Sequence, residues 1–522
     1  MPPNRPTIVL ITTDELNREA LSCYGATSHV TGNIDRLAEE GLLFTTAYTT
    51  SPVCLAARCS LATGLYPHNN LSTSNNTGRS LDRDLPNIFT LLAEAGYRTS
   101  MHGKCHFIPV PYAYIERKFT REYEHFIHYY RSLGMDHLDL MDDPQVSAWF
   151  YDDYAKDMER RGLLSAFRRC IWECHEKTEE FPCPGTFCFP GPDHMQPDSW
   201  VGERTLDYIE TYEGDEPAFI WMSFGGPHYP TCAPAKYYDL IDMDRDRPRR
   251  LREGEWDDTS KSNWKDGGGG HADGDGYAPD RLQKNYDEEY WRAWRHAYYA
   301  SCVQIDDYVG RVLSAARQRW GDNLMVLFTA DHGDMMGDHG FWGQGLYGQG
   351  TRIPLIVRFP DGSHAGERSD ALVQTVDILP TLLAQAGATP FPCDGQPLRT
   401  LMAESGREFA IAECGDNSVM ITDGRLKYAY RVRGEQELHE LYDLESDPHE
   451  FENVFSRAES YEGFRRLKAE LARLQREEGL NDVLFYDGTG APPWAKLSPC
   501  DIPAPTGRSN PSGRGRRADE HE

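Results

Sequence analysis

Short apolar runs recur along the chain, and most end in residues that carry chemistry. Thr7–Thr13, Pro217–Phe224, Asn323–Ala330 and Thr351–Pro360 are nearly continuous in apolar residues and bounded by turn formers. Such runs predict strands buried on both faces, as in a sheet covered by helices. Tyr97–His106 predicts a further strand and its exit loop. Between the strands the period changes to that of helices. Asn33–Glu40 reads as a helix stopped by Gly41, and Leu85–Gly96 places Leu85, Ile88, Leu91, Leu92 and Ala95 on one stripe. Glu288–Arg319 and Asp377–Gly387 are helical patterns as well. Strands alternating with helices predict an α/β fold.

The pattern changes near 390–405, where prolines and glycines accumulate. Short strands are expected at Phe409–Glu413, Ser418–Thr422 and Leu426–Val432, with the amphipathic helix Tyr461–Glu478 packed on them. The expected organisation is a catalytic α/β domain at 1–390, a smaller antiparallel α+β subdomain at 391–502 and a disordered tail at 503–522. Residues 107–200 are rich in aromatics, charges and cysteines, with helical pieces around Gln145–Arg169. They do not read as core sheet. They predict an insertion over the functional face, where loops commonly set substrate choice. Residues 254–280 are polar and glycine-rich and predict a mobile loop. Asp273-Gly-Asp-Gly276 within them lacks the rest of an EF-hand pattern.

Composition narrows the partners. The 522 residues carry 54 Lys and Arg against 82 Asp and Glu, a net charge of −28. That balance excludes a nucleic-acid backbone as partner. An anionic substrate must then be drawn in by a local cationic pocket. Mean hydropathy is −0.63, and no run approaches the ~18 apolar residues of a membrane span. Met1–Pro6 leads straight into the first strand without the basic start and apolar core of a signal peptide. A cytoplasmic location is expected, with the 13 cysteines mostly reduced. Cys170/Cys174 and Cys183/Cys188 lack the second tight pair of a zinc ribbon.

Candidate chemistry sits at the strand ends, where α/β sheets gather functional groups. The first strand ends in Asp14-Glu15 and the strand at 323–330 in Asp331-His332-Gly333-Asp334. Carboxylates there suit a hard cation, although Asp at such a place is also a good helix cap. Cys54 and Arg58 are four residues apart, on one face of a helix that Gly64 would close. A cysteine at a helix start lies in positive potential, although a free cysteine is often merely buried. Lys104 and His106 alternate, so both face one side if the exit loop is extended. Otherwise they are a solvated Lys and a structural His. His228 lies in Gly225-Gly-Pro-His-Tyr-Pro230 at a strand end, where surface placement is the bland reading.

Taken in order, these elements resemble the sulfatase family of the alkaline phosphatase superfamily. Ser51-Pro-Val-Cys54-Leu-Ala-Ala-Arg58 through Thr63-Gly64 is similar to the sulfatase signature, with Ala56 and Ala57 where the commonest form has Pro and Ser. Gly103-Lys104-Cys105-His106 is similar to a Gly-Lys-Trp-His element, and Pro227-His228-Tyr-Pro230 to a Pro-His-x-Pro element. Asp331–Gly343 and Glu440-Leu-Tyr-Asp-Leu444 extend the resemblance. It implies a large, mainly parallel mixed sheet sandwiched by helices, with the C-terminal subdomain beyond. It implies a metal site of Asp14, Asp331 and His332, with Cys54 beside it and Glu15 as a weaker ligand. One divalent cation is expected, calcium or the softer manganese.

The resemblance also implies that Cys54 is converted to formylglycine by a formylglycine-generating enzyme, its hydrate being the nucleophile. Arg58 and Lys104 then offset charge. His228, with Lys104 as rival, protonates the leaving alcohol, and His106 takes a proton from the hydrate. The substrate is a small anionic ester, with no membrane or nucleic-acid partner and a homo-oligomer as an option. The alcohol, whether aryl, sugar or alkyl, stays open. Gln344, where many sulfatases have a sulfate-binding Lys, is the remaining substrate-binding candidate. Its missing charge favours a phosphonate monoester or phosphodiester hydrolase as alternative. A non-catalytic anion-binding relative is the third reading.

Overall fold

The computed structural model describes residues 5–480 apart from 76–79, 110–122, 145–146, 148–150, 175–176, 181, 256–257, 259, 262–285, 342, 344, 416 and 434–435. The strands in chain order are β1 (Thr7–Asp14), β2 (Leu42–Phe44), β3 (Ala47–Tyr48), β4 (Arg98–Gly103), β5 (His137–Leu140), β6 (Thr186–Cys188), β7 (Ala218–Pro227) and β8 (Thr231–Ala233). They continue with β9 (Leu324–Ala330), β10 (Leu355–Arg358), β11 (Glu367–Ser369), β12 (Val373–Gln374), β13 (Ala410–Cys414), β14 (Ser418–Thr422), β15 (Leu426–Arg433) and β16 (Gln436–Asp443).

Eight of these form the main sheet, in the order β11-β2-β10-β9-β1-β7-β4-β5. β1 lies at its centre, parallel to both β7 and β9, so that Leu10 is flanked by Trp221 and Leu327. Every residue of β1, β7 and β9 is buried, which is why their sequences are apolar throughout and do not alternate. β10 is shorter than the run Thr351–Pro360 suggests. It is antiparallel to β9 and β2, making the sheet mixed. Helices sandwich the sheet. Gly32–Glu40, Pro197–Glu210 and Glu288–Trp320 pack together, as do Cys54–Thr63, Ile88–Glu94 and Ile378–Ala386. Asp306 on the long helix accepts backbone N–H groups of Asn33 and Ile34 at 3.0 and 2.8 Å, so it caps the first helix.

Three expectations are corrected here. The helix predicted from Leu85 begins at Ile88, because Asn87 and Thr90 form a reciprocal cap. More consequential, residues 107–200 do contribute to the core sheet. β5 extends it as an edge strand parallel to β4, pairing Met101 with Leu138 and His102 with Asp139. Its half-buried residues alternate with buried ones, so a four-residue strand with His and Asp on its outer positions carries little apolar signal. Part of the segment 254–280 is also not as expected, since Glu255 and Lys261 are buried. Its Asp273–Gly276 and the tail beyond residue 502 lie outside the described residues.

β13–β16 form a separate antiparallel sheet. The helix Glu462–Glu477 lays Phe464, Leu467, Leu471 and Leu474 on it. Tyr66 and Val376 join that cluster from the larger unit. Among the described residues no disulfide is present and no helix is long and apolar enough to cross a membrane. Cys170, Cys174, Cys183 and Cys188 do not gather into a metal-binding cluster among those residues.

Candidate active site

The main sheet delivers its strand ends to one buried place. Asp14 at the end of β1 and Asp331-His332 after β9 are neighbours because β1 and β9 are parallel and in register up to Thr13 and Ala330. Chain direction turns sharply after Asp14. Glu15 takes a left-handed conformation, φ 61°, which costs a non-glycine residue energy and persists only when its surroundings hold it. Here they do. The Glu15 N–H donates to Asp331 Oδ1 at 3.1 Å, and Tyr298 Oη donates to the Glu15 carbonyl at 2.6 Å. Tyr298 also accepts the Asn17 N–H at 2.9 Å.

Cys54 is the first residue of its helix, and Arg58 one turn on shares its face. The whole helix is buried, which small residues such as Ala56 and Ala57 permit. Gly64 closes it at φ 69°, where a Cβ would also press on Cys393 at 3.1 Å. Cys54 Sγ lies 3.1 Å from His332 Nε2. Arg58 Nε donates to Asp331 Oδ2 at 2.8 Å, and its Nη1 to the Lys104 carbonyl and Ser223 Oγ at 2.9 and 2.8 Å. Arg58 Nη2 is 4.0 Å from Asp14 Oδ2. Lys104 Nζ donates to Asp14 Oδ2, and to Asp143 Oδ2 at 2.6 Å.

A cation fits this arrangement. Asp14, Cys54, Asp331 and His332 each place a ligand atom within 4.8 Å of the others. His332 Nδ1 meets the Gly333 carbonyl at 2.9 Å. That contact assigns its proton to Nδ1 and leaves the Nε2 lone pair facing Cys54 and, at 3.8 Å, Asp14 Oδ1. Among the described residues Asp14 Oδ1 is buried with no hydrogen-bond partner, an acceptor that a buried site would not leave unmatched without a ligand.

Electrostatics follow from burial and crowding. Burial, and then the neighbouring Asp334, push the Glu15 carboxyl well above its usual range. Burial opposes ionisation of Asp14, yet Lys104, His228 and Arg58 together hold it well below. Asp334 is pushed up to about 7 by burial. Its two oxygens accept the Met336 and Gly343 N–H groups at 2.5 and 2.6 Å, so it shapes the loop after His332. For Cys54, the helix start does not decide its acidity. Burial, then Asp14, raise the thiol well above its ordinary value. The positive potential inferred from sequence is outweighed, and a thiolate is disfavoured.

The remaining candidates are placed as follows. His106 is buried beside Lys104, but its φ of 49° shows that the exit loop is not extended there. Neither ring nitrogen has a hydrogen-bond partner among the described residues. His228 Nδ1 meets the Tyr229 carbonyl, and Nε2 is 3.7 Å from Glu15 Oε2. Burial lowers its pKa. Glu15 is not part of the four-residue ligand cluster among the described residues. Gln344 lies outside those residues. Sequence reasoning missed Asp143. Its signal was present, since Leu138-Asp-Leu-Met-Asp142-Asp143 is an apolar stretch ending in paired carboxylates, as β1 does.

With this geometry established, comparisons with known proteins are informative. The family model described as "Sulfatase" matches residues 6–388, well over half of the chain. A second, "N-sulphoglucosamine sulphohydrolase, C-terminal", matches residues 337–477. The arylsulfatase of Clostridium perfringens is 28% identical over 92% of this chain and 96% of its own. The N-acetylglucosamine-6-O-sulfatase of Bacteroides thetaiotaomicron is 25% identical over 92% of this chain and 88% of its own. The phosphonate monoester hydrolase from Silicibacter pomeroyi superposes with a TM-score of 0.71 at 19% identity, over 91% of this chain and 97% of that one. At that identity the last likeness shows the fold alone. The chain belongs to the sulfatase family of the alkaline phosphatase superfamily.

Proposed function

We infer that this pocket hydrolyses the sulfuric ester of a small anionic substrate. The observation that carries the reading is the meeting of Cys54, Arg58, Asp14, Asp331 and His332 in one buried cluster at the ends of parallel strands. Cys54, once oxidised to formylglycine, supplies a hydrated aldehyde as the nucleophile. Asp14, Asp331 and His332 would hold a divalent cation, with Glu15 beside them, and the cation would add Lewis-acid charge at the ester oxygen. Calcium suits the carboxylates, and the His332 nitrogen admits manganese.

This chain's own side chains do the rest. Arg58, fixed by three hydrogen bonds, is preorganised to offset negative charge at the transferred group. Lys104, whose charge Asp14 and Asp143 maintain against burial, adds to that field. His106, held neutral by burial and Lys104, is suited to accept a proton from the hydrate. His228 is the acid toward the leaving alcohol, with Lys104 as its rival. With Gln344 where many sulfatases have a Lys, the pocket would be one cation short. Phosphonate monoester or phosphodiester hydrolysis is the second reading, favoured by the histidine beside Asp331.

Two measurements test this. The mass of the tryptic peptide Leu37–Arg58, from protein made in its own host, should show sulfur replaced by oxygen with loss of two hydrogens. An intact thiol in folded, active protein would overturn the nucleophile assignment. An aryl sulfate should then be turned over in preference to an aryl phosphonate monoester, and the reverse preference would move the second reading ahead.

A further inference from the structure

A second cluster of metal-ligating side chains lies on the main sheet, outside the Cys54 pocket. His137 and Asp139 are two apart on β5 and share a face. The register sets His102 of β4 directly opposite Asp139. His102 Nδ1 and His137 Nε2 both meet Asp139 Oδ2, at 2.8 and 2.9 Å. One ligand atom from each of the three lies within 4.8 Å of the other two. Tyr208 on the helix Pro197–Glu210 lies over both imidazoles, ring centroids 5.0 and 4.9 Å away.

We propose that His102, His137 and Asp139 form a second metal site, for a zinc-type transition-metal ion that ties the edge strand β5 to β4. Two imidazoles and one carboxylate are a zinc donor set that leaves a fourth position open. Ligand atoms around tetrahedral zinc lie roughly 3.3 Å apart, so the two N···O contacts need to open by only about half an ångström. His137, whose side chain is 42% exposed, can turn to do so. A surface cavity of about 340 Å³, lined by His137, Asp139, Arg204 and Tyr208 among others, gives access and room for a water ligand. Arg204 is engaged by Asp207 and does not block the approach.

Burial keeps the His102 ring below its ordinary pKa, and a neutral imidazole is the form that ligates. The site would bear on the catalytic pocket through the backbone. The chain leaves β5 at Leu140 and reaches Asp143, the residue that holds Lys104, three positions later.

The test is zinc uptake by the full chain, with zinc ion as the only added probe. Native mass spectrometry counts bound zinc, and the melting temperature is followed in parallel. Asp14→Asn separates this site from the Cys54 pocket. His137→Ala and Asp139→Asn should each lose one zinc equivalent and the accompanying rise in melting temperature. Zinc affinity at that site should fall at least 100-fold, about the most that losing a mere supporting contact costs. Asp14→Asn should retain both signals. Zinc uptake by His137→Ala equal to that of the parent would overturn the proposal. If Asp139→Asn does not fold, the exposed His137 decides the matter alone.

Discussion

Two regions of buried charge are built differently. At the junction between the main sheet and β13–β16, the buried carboxylates of Glu255, Glu413 and Glu450 each meet at least one buried cationic side chain. Lys427 pairs with Glu450, and Lys261 with Glu255, which also receives His339. His68 pairs with Glu413. At the strand ends the anions outnumber their partners. Asp14, Glu15, Asp143, Asp331 and Asp334 share Arg58 and Lys104 and the two histidines His228 and His332. Matched pairs specify a junction. A surplus of buried carboxylates is stable only if something positive is added or some of them stay protonated. The difference distinguishes a seam from a site with no reference to any motif.

The largest effect that could break this contrast is on turnover. Cys54→Ala should lower kcat by about 10³-fold or more, the scale seen when a nucleophile is removed, with the melting temperature nearly unchanged. Retained turnover would mean that the crowded carboxylates serve a different nucleophile.

Stability comes next. Glu450→Gln leaves Lys427 buried with its carboxylate partner gone and should cost about 3–5 kcal/mol in denaturant unfolding. Glu15→Gln, in protein stripped of cations, should cost under about 1 kcal/mol, because the Glu15 carboxyl already resists ionisation. Equal losses at both places would erase the distinction between seam and site.

Leaving-group dependence sharpens the chemistry inside the site. If His228 is the acid, His228→Ala should lose more activity on an alkyl sulfate than on a nitrophenyl sulfate, whose alcohol leaves without help. Lys104→Ala should lose similar amounts on both. The opposite pattern would exchange the two roles.

The smallest effect is a pH slope at the junction. Glu413 raises the His68 pKa above 6.5 despite burial. A raised folded value means that the pair's stabilisation is full below pH 6.5. It is lost as pH rises through the folded pKa. His68→Gln should flatten the unfolding free energy over that window.

Much of this was legible in the chain because the same physics wrote both patterns. β1, β7 and β9 are buried on both faces, so their sequences are unbroken apolar runs and their ends are easily found. Cys54 and Arg58 are a helical turn apart, and that spacing survives into the structure. β5 was not legible. Its strand is four residues long and its register partner lies over thirty residues upstream. The engagement of Asp143 with Lys104 follows from that register, so it was hidden with it. The acidity of Cys54 was not legible either, for a related reason. Sequence reports the helix start, whereas depth of burial is a property of the whole fold.

The clasp on Glu15 has a kinetic consequence. Its amide is held by the Asp331 carboxylate and its carbonyl by Tyr298, and the amide of Asn17 is held by Tyr298 as well. Those protons should exchange with solvent only when the central strands separate, on the slowest timescale the molecule has. Among the described residues, the side chains that would hold a cation already stand together. Loading and unloading of a cation would then proceed by ligand substitution at a standing framework, with the sheet closed throughout.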